Sequence, residues 1–292
     1  MKLTDTTHGL KQTPVEAVSL TGETLADHRD FWNRSAAADS LRAIVADGDE
    51  RSYQSSGRTE AEALRRFLGP DTRVLDIGCG TGRVMEHLAP WCREVHGIDI
   101  SERMVAGGRE RLAHLPNVQF HNGNGYDLAG FEDGTFDVVY SIVALQHMPR
   151  TVAYNYLLES NRVLTEDGVL WCYVPNLLRD DAFAAFHHLS QPWFVSHPYP
   201  MNFYTPQEIA RVVVAAGFWL AALNDEMRVE ARKTADAGVS EQAQTLVGLH
   251  DSQTQQLAER NAELERTLAE IRSRPLVRLA ASVRRRLRPT PS

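Results

Sequence analysis

The run VLDIGCGTGR, residues 74–83, decides how the rest of the chain is read. An apolar strand-like segment leads into three alternating glycines, Gly78, Gly80 and Gly82, and a helical segment follows. Glycine reaches backbone dihedrals that close a tight turn, and its missing side chain lets a ligand approach the main chain. A helix N-terminus placed directly after such a turn offers free N–H donors to negative groups. The turn alone fits a dinucleotide as well as it fits other nucleotide-like ligands. Three features beyond it narrow the choice. Asp76 precedes the first glycine on the strand, placed to receive an ammonium directly or through water. Asp99 ends the next strand, 19 residues beyond Gly80, where a carboxylate can accept from both hydroxyls of a ribose. A loop at 122–126 then follows a third strand, and FDVVYS at 136–141 forms an acidic-aromatic fourth.

Outward from this run, a strand-and-helix rhythm predicts strands at residues 73–77, 94–98, 118–121, 135–142 and 168–174, with helices at 82–88, 101–111 and 151–163. Short apolar runs separated by helical segments read as a parallel sheet covered on both faces. A helix over 205–216 is signalled by Thr205 as cap, Pro206 in the first turn and Gly217 at the end. Residues 218–223 and 228–232 supply two more strands. The fold expected is α/β and Rossmann-like: a mostly parallel seven-stranded sheet between helices. Before it, residues 26–45 repeat Phe31, Trp32, Leu41 and Ile44 at helical spacing. Residues 47–57 read as a loop and 59–68 as a short amphipathic helix.

The organisation that follows is an N-terminal helical cap segment at 1–58, a ligand-binding domain at 59–235 with an insertion at 176–204, a coiled coil at 240–272 and a basic amphipathic tail at 273–292. The heptads place Val247 and Leu268 at a, and Leu257, Leu264 and Ile271 at d. Asn261 falls at an a position, where a buried asparagine fixes register at a cost in stability. Thr254 and His250 also sit on this seam, so a helix folded back on the domain is the competing reading. The last 21 residues hold seven arginines and no acidic residue. Arginines beside apolar residues suit an anionic lipid surface, against the plainer reading of a solvated basic tail.

The formal net charge of -7 gives no global reason to expect nucleic-acid binding. The three cysteines, Cys79, Cys92 and Cys172, argue against a disulfide scaffold, and no spacing resembles a metal site. No 18-residue apolar run occurs, and the first residues lack the apolar stretch of a signal peptide. A cytoplasmic location is expected, with the tail as a reason to consider peripheral contact at the inner membrane surface.

Over residues 60–220 the sequence resembles the class I S-adenosylmethionine (SAM)-dependent methyltransferases, especially those acting on small molecules. The residues that carry the resemblance are LDIGCGTG, GIDIS and FDVVYS at their mutual distances. It implies SAM as cofactor, with Asp76 and the turn Gly78, Cys79, Gly80 and Gly82 around the methionine part. Asp99 would hold the ribose and Met104 would line the adenine pocket, with Ile100 and Ser141 as further cofactor-binding candidates. Asn124 and Gly125 would meet the adenine. Many relatives carry an aspartate in that loop, whereas an asparagine both accepts and donates.

The acceptor is harder to read. His147, in YSIVALQHMP, follows the fourth strand at the sheet end where open α/β folds bind ligands. Histidine is the natural proton acceptor near neutral pH, although an architectural role is the alternative. The insertion gathers His187, His188, Trp193, His197, Tyr199 and Tyr204, an acceptor-site cover unless these aromatics simply fill a core. Tyr53, in the expected loop before the domain, is a further candidate. The tail resembles those of bacterial surface-polysaccharide enzymes, which implies O-methylation of a sugar hydroxyl on a surface glycan or its lipid-linked precursor. Two alternatives stand beside it: another small-molecule acceptor such as a quinone precursor or secondary metabolite, and a non-catalytic SAM-fold scaffold acting through its coiled coil. The partners expected are a small-molecule or glycan acceptor, a second copy through 240–272, weak membrane-surface contact through 273–292, and no nucleic acid.

Overall fold

A computed structural model describes residues 22–44, 48–190, 201–224, 226–233 and 266. The chain divides into two compact units, Met1–Val239 and Ser240–Ser292. In the second, only Arg266 is described, so the expected coiled coil at 240–272 and the basic tail at 273–292 lie outside the described residues.

Helix α1 (Gly22–Asp39) opens the first unit, and its Asn33 side chain accepts from Ser101 Oγ and the Arg103 amide. Helix α2 (Glu50–Leu64) follows and tightens into a 3-10 turn at Arg65–Phe67. The loop expected at 47–57 and the short helix expected after it are therefore one helix, and the boundary placed between 58 and 59 falls inside it. The reason is local. Asp49 caps the helix by accepting from the Ser52 amide, and the buried stripe Tyr53, Gly57, Ala61 and Leu64 has helical spacing from the first turn. The polar text of that segment is simply the outer face.

Strand β1 (Arg73–Ile77) leads through the glycine turn to α3 (Met85–Leu88) and a 3-10 turn at Ala89–Trp91. The helix expected from residue 82 starts later, because Gly82 has φ 85°, outside the helical region. Next come β2 (Glu94–Asp99), α4 (Glu102–Arg111), β3 (Val118–Asn122) and β4 (Phe136–Ile142). A 3-10 turn at Leu145–His147 precedes α5 (Arg150–Val163). Strand β5 (Leu164–Tyr173) begins earlier than its apolar run, because Leu164 already pairs with Phe136 ahead of a bulge. The insertion is not irregular throughout: α6 (Asp180–Leu189) runs through it. Helix α7 (Pro206–Ala215) starts with a complete Thr205–Glu208 capping box, and β6 (Phe218–Leu223) and β7 (Arg228–Lys233) close the unit.

The strands form one sheet in the order β3-β2-β1-β4-β5-β7-β6, with β1 to β5 parallel and β7 antiparallel to both its neighbours. Alternation along each strand feeds two separate cores. Leu75, Ile77, Val139 and Leu170 pack with α5 and α7 residues such as Leu157 and Val213. Val74, Val95, Val138 and Tyr140 pack with Ala61 and Leu64 of α2, Met85 of α3 and Val105 of α4. The chain order reverses between β1 and β4, so the crevice beyond their carboxyl ends is where such a sheet binds its ligand.

Candidate active site

A cavity with about 1020 Å³ of space, open to solvent, lies at that reversal. Its floor is the glycine turn. Gly78 has φ 75°, and a Cβ there would stand 2.2 Å from the Ala144 Cβ, so only glycine lets the turn after β4 close over the turn after β1. Val143, with φ 66°, bends the chain sharply to make that approach. A β-branched residue in this region is strained, and here the strain sits in the cavity wall. Gly82 serves packing instead: a Cβ would come within 2.8 Å of Leu112 and Phe120 side chains.

Two carboxylates face the cavity. Asp76 Oδ2 accepts from the Tyr140 hydroxyl at 2.8 Å, the two residues being register partners on β1 and β4. Burial pushes the Asp76 carboxyl up to about 7, opposed by the Tyr140 bond and by the Arg83 guanidinium. Asp99, at the end of β2, accepts from the Gly80 amide at 2.9 Å and the Ser101 amide at 2.8 Å. Burial also raises its carboxyl, against these backbone donors. Ile100, Met104 and Gly125 supply an apolar side to the same cavity.

Across from the turn stands His147, in the 3-10 turn after β4. Its Nε2 lies 3.2 Å from the Gln146 amide Nε2. Gln146 is buried, and its backbone carbonyl accepts from the Asn202 amide at 2.7 Å, which ties this turn to the segment before α7. Helix α1 completes the wall with His28 and Trp32.

Of the residues expected to surround SAM, Asp76, Gly78, Cys79, Gly80, Asp99, Ile100, Met104 and Gly125 line this one cavity, together with His147. Three others are turned elsewhere. Gly82 faces the core as described. Asn124 stabilises its own loop, accepting from the Tyr126 and Asp127 amides and donating to the Asp127 carboxylate. Ser141 donates to the Ile77 carbonyl inside the sheet.

The acceptor candidates fare differently. Tyr53 is not in a loop; it is fully buried in α2, its hydroxyl 2.9 Å from Thr81 Oγ1, where it braces the glycine turn from behind. His187 and His188 are exposed in the last turn of α6, away from the cavity wall. Tyr204 is core, packed with Ile209 and Val174. Trp193, His197 and Tyr199 lie outside the described residues. The contributions of His28, Trp32, Arg83 and Tyr156 to the wall were missed. Trp32 showed only as an apolar residue at helical spacing, a pattern shared by core and site residues alike. Among the described residues no group of three or more His, Cys, Asp or Glu could hold a metal ion, and no helix is long and apolar enough to cross a membrane.

The family described as "Methyltransferase domain" matches residues 74–168. A demethylmenaquinone methyltransferase of Staphylococcus aureus is 32% identical over 149 residues, 50% of this chain and 58% of the relative. The match thus spans less than two thirds of that relative's length. Among solved structures, phosphoethanolamine N-methyltransferase 1 of Haemonchus contortus aligns with TM-score 0.57 at 16% identity, covering 82% of this chain and 56% of that one. A SAM-dependent methyltransferase of Methanosarcina mazei aligns with TM-score 0.51 at 19% identity, covering 60% of this chain and 98% of that one. Both share the fold.

Proposed function

We propose, for a chain that carries a class I SAM-dependent methyltransferase domain, that the protein transfers the methyl group of SAM to a small-molecule acceptor such as a quinone precursor. The observation that carries this reading is the pair of carboxylates, Asp76 buried and Asp99 half-buried, on either side of the glycine turn in one cavity. The donor set fits the cofactor. A carboxylate held by two backbone amides, as Asp99 is, keeps lone pairs for a pair of vicinal hydroxyls. The unfavourably buried Asp76 is relieved by a cation, such as an α-ammonium. Met104 and Ile100 offer the apolar surface that a purine ring needs.

SAM bound there supplies an electrophilic methyl on a sulfonium. The chain's own part is then to hold a nucleophile in line with it and to keep water out. His147 is the candidate for accepting the acceptor's proton. Its ring stands in the cavity wall opposite the glycine turn, within reach of an acceptor bound there. A quinone precursor is preferred over a glycan because the relative with 32% identity acts on demethylmenaquinone, while the glycan reading rests on the tail at 273–292.

The test is isothermal titration with SAM, followed by incubation with methyl-labelled SAM and fractionated quinone precursors, lipid extracts and glycans. Asp99→Ala should weaken SAM binding by about tenfold to a hundredfold, the worth of hydrogen bonds to a charged acceptor. No measurable SAM binding by the intact protein would sink the enzyme reading and favour the scaffold. Label appearing only in the glycan fraction would return the acceptor to a sugar hydroxyl.

A further inference from the structure

His28 and Trp32 lie one turn apart on α1 and both reach the cavity. The Trp32 indole Nε1 donates to His28 Nε2 at 3.1 Å. An indole N–H can only donate, so Nε2 is the nitrogen without a hydrogen. The His28 ring also bonds the backbone of His147 in the sense that favours its protonated form, which makes the ring the donor and the His147 carbonyl the acceptor. Burial meanwhile holds the His28 pKa below the ordinary histidine value. A neutral ring with one nitrogen accepting from Trp32 and the other donating to His147 is poorly suited to take a proton. It is well suited to fix two things at once: the plane of the indole and the path of the chain at His147. Trp32 then meets the His147 ring edge to face, with centroids 5.4 Å apart at 66°.

We infer that α1 completes the acceptor subsite, with Trp32 and His147 as its wall and His28 as the positioning residue that sets both. This rests on the methyl-transfer reading above. Other observations support the placement. Asn33, on the same helix, is pinned to the start of α4 by Ser101 and Arg103, so α1 is fixed at a second point beside Asp99. Met148 extends the wall with apolar surface, while Ile44 lies against Gly80 of the glycine turn. The charged side chains lining the cavity, among the described residues, are Asp76, Asp99 and Arg83, and Asp76 and Arg83 interact with each other. The flat, uncharged character of the wall therefore comes from α1 and the turn after β4.

The test uses the full chain loaded with S-adenosylhomocysteine and titrated with 1,4-dihydroxynaphthalene, a planar uncharged probe. Trp32→Ala and His28→Leu should each weaken the probe by about fivefold to tenfold, the upper range of a lost aromatic contact or hydrogen bond. S-adenosylhomocysteine affinity should stay within about threefold, since neither side chain belongs to the Asp76–Asp99 pair. His28→Gln, which can still accept from the indole and donate to a carbonyl, should bring probe binding back to within about threefold of the natural protein. Trp32→Phe guards against misfolding: it keeps an aromatic ring but loses the donor, and should weaken the probe by several fold. The inference is overturned if His28→Leu leaves the probe unaffected, if His28→Gln fails to rescue, or if cofactor and probe weaken together. It is equally overturned if the loaded natural protein does not bind the probe. Failure to bind S-adenosylhomocysteine at all would instead defeat the methyl-transfer reading, and this inference would fall with it.

Discussion

Asp76 is buried beneath the cavity with its carboxyl raised to about 7, so folding makes its ionisation harder than in the open chain. The sign follows. The folded form holds this proton more tightly than the unfolded one, so its contribution favours folding at low pH and is lost as pH rises from about 4 through about 7. A bound ammonium reverses the preference by stabilising the carboxylate. S-adenosylhomocysteine should therefore bind more tightly as pH rises from about 6 to 8, with release of a proton. Titration calorimetry in two buffers of different ionisation enthalpy measures this directly, and a pH-independent affinity without proton release would remove Asp76 as the ammonium's partner. His147 makes a separate prediction. As general base, its replacement in His147→Ala should lower kcat by about a hundredfold or more and remove the acid limb of the pH–rate profile. An unchanged rate and profile would leave it an architectural residue, holding Trp32 and the turn after β4. The ease with which these residues were read differs for a physical reason. Asp76 and Asp99 are fixed by strand ends next to the turn, whereas Asn124 had an equally good partner in its own loop, and local hydrogen bonds won.

At the scale of elements, α2 acts as a brace behind the glycine turn. Gly57 sits so close that a Cβ would stand 2.3 Å from the Arg83 carbonyl oxygen, and Tyr53 reaches Thr81 a few residues earlier in the same turn. Arg111 of α4 covers the Tyr53 ring at 4.4 Å and pairs with Glu50, joining α2 and α4 across the turn. Replacing Gly57 by alanine sets two effects against each other. Helix propensity favours alanine by about 1 kcal/mol. Forcing a methyl against main chain costs about 1–3 kcal/mol, and at this separation the main chain must move. Gly57→Ala should thus lower stability by up to about 2 kcal/mol in chemical denaturation and weaken SAM binding as well. A rise in the unfolding midpoint would show that α2 does not bear on the turn. This element was misread from sequence because a loop-like composition, Ser, Gln, Arg and Gly, concealed a helical burial stripe whose partner is distant in the chain.

For the whole molecule, the two cores on either side of the sheet are made, among the described residues, by side chains from Ala61 to Ala231. A chain ending at Val239 should accordingly unfold cooperatively and bind S-adenosylhomocysteine within about threefold of the full chain. Loss of either property would show that Ser240–Ser292 is needed by the first unit. Sequence alone determined the strand order's raw material: continuous apolar runs for strands buried on both faces, a glycine turn and two carboxylates that pick out one kind of ligand. Such features are local, because a strand's burial and a turn's dihedrals are written within a few residues. The acceptor wall is different. Trp32 and His147 are 115 positions apart and meet only because β1 and β4 are neighbours at the sheet's reversal and α1 brings Trp32 to the cavity there. Whether an aromatic fills a core, as Tyr204 does, or faces a cavity, as Trp32 does, depends on which distant surface it meets, and that is decided by tertiary packing.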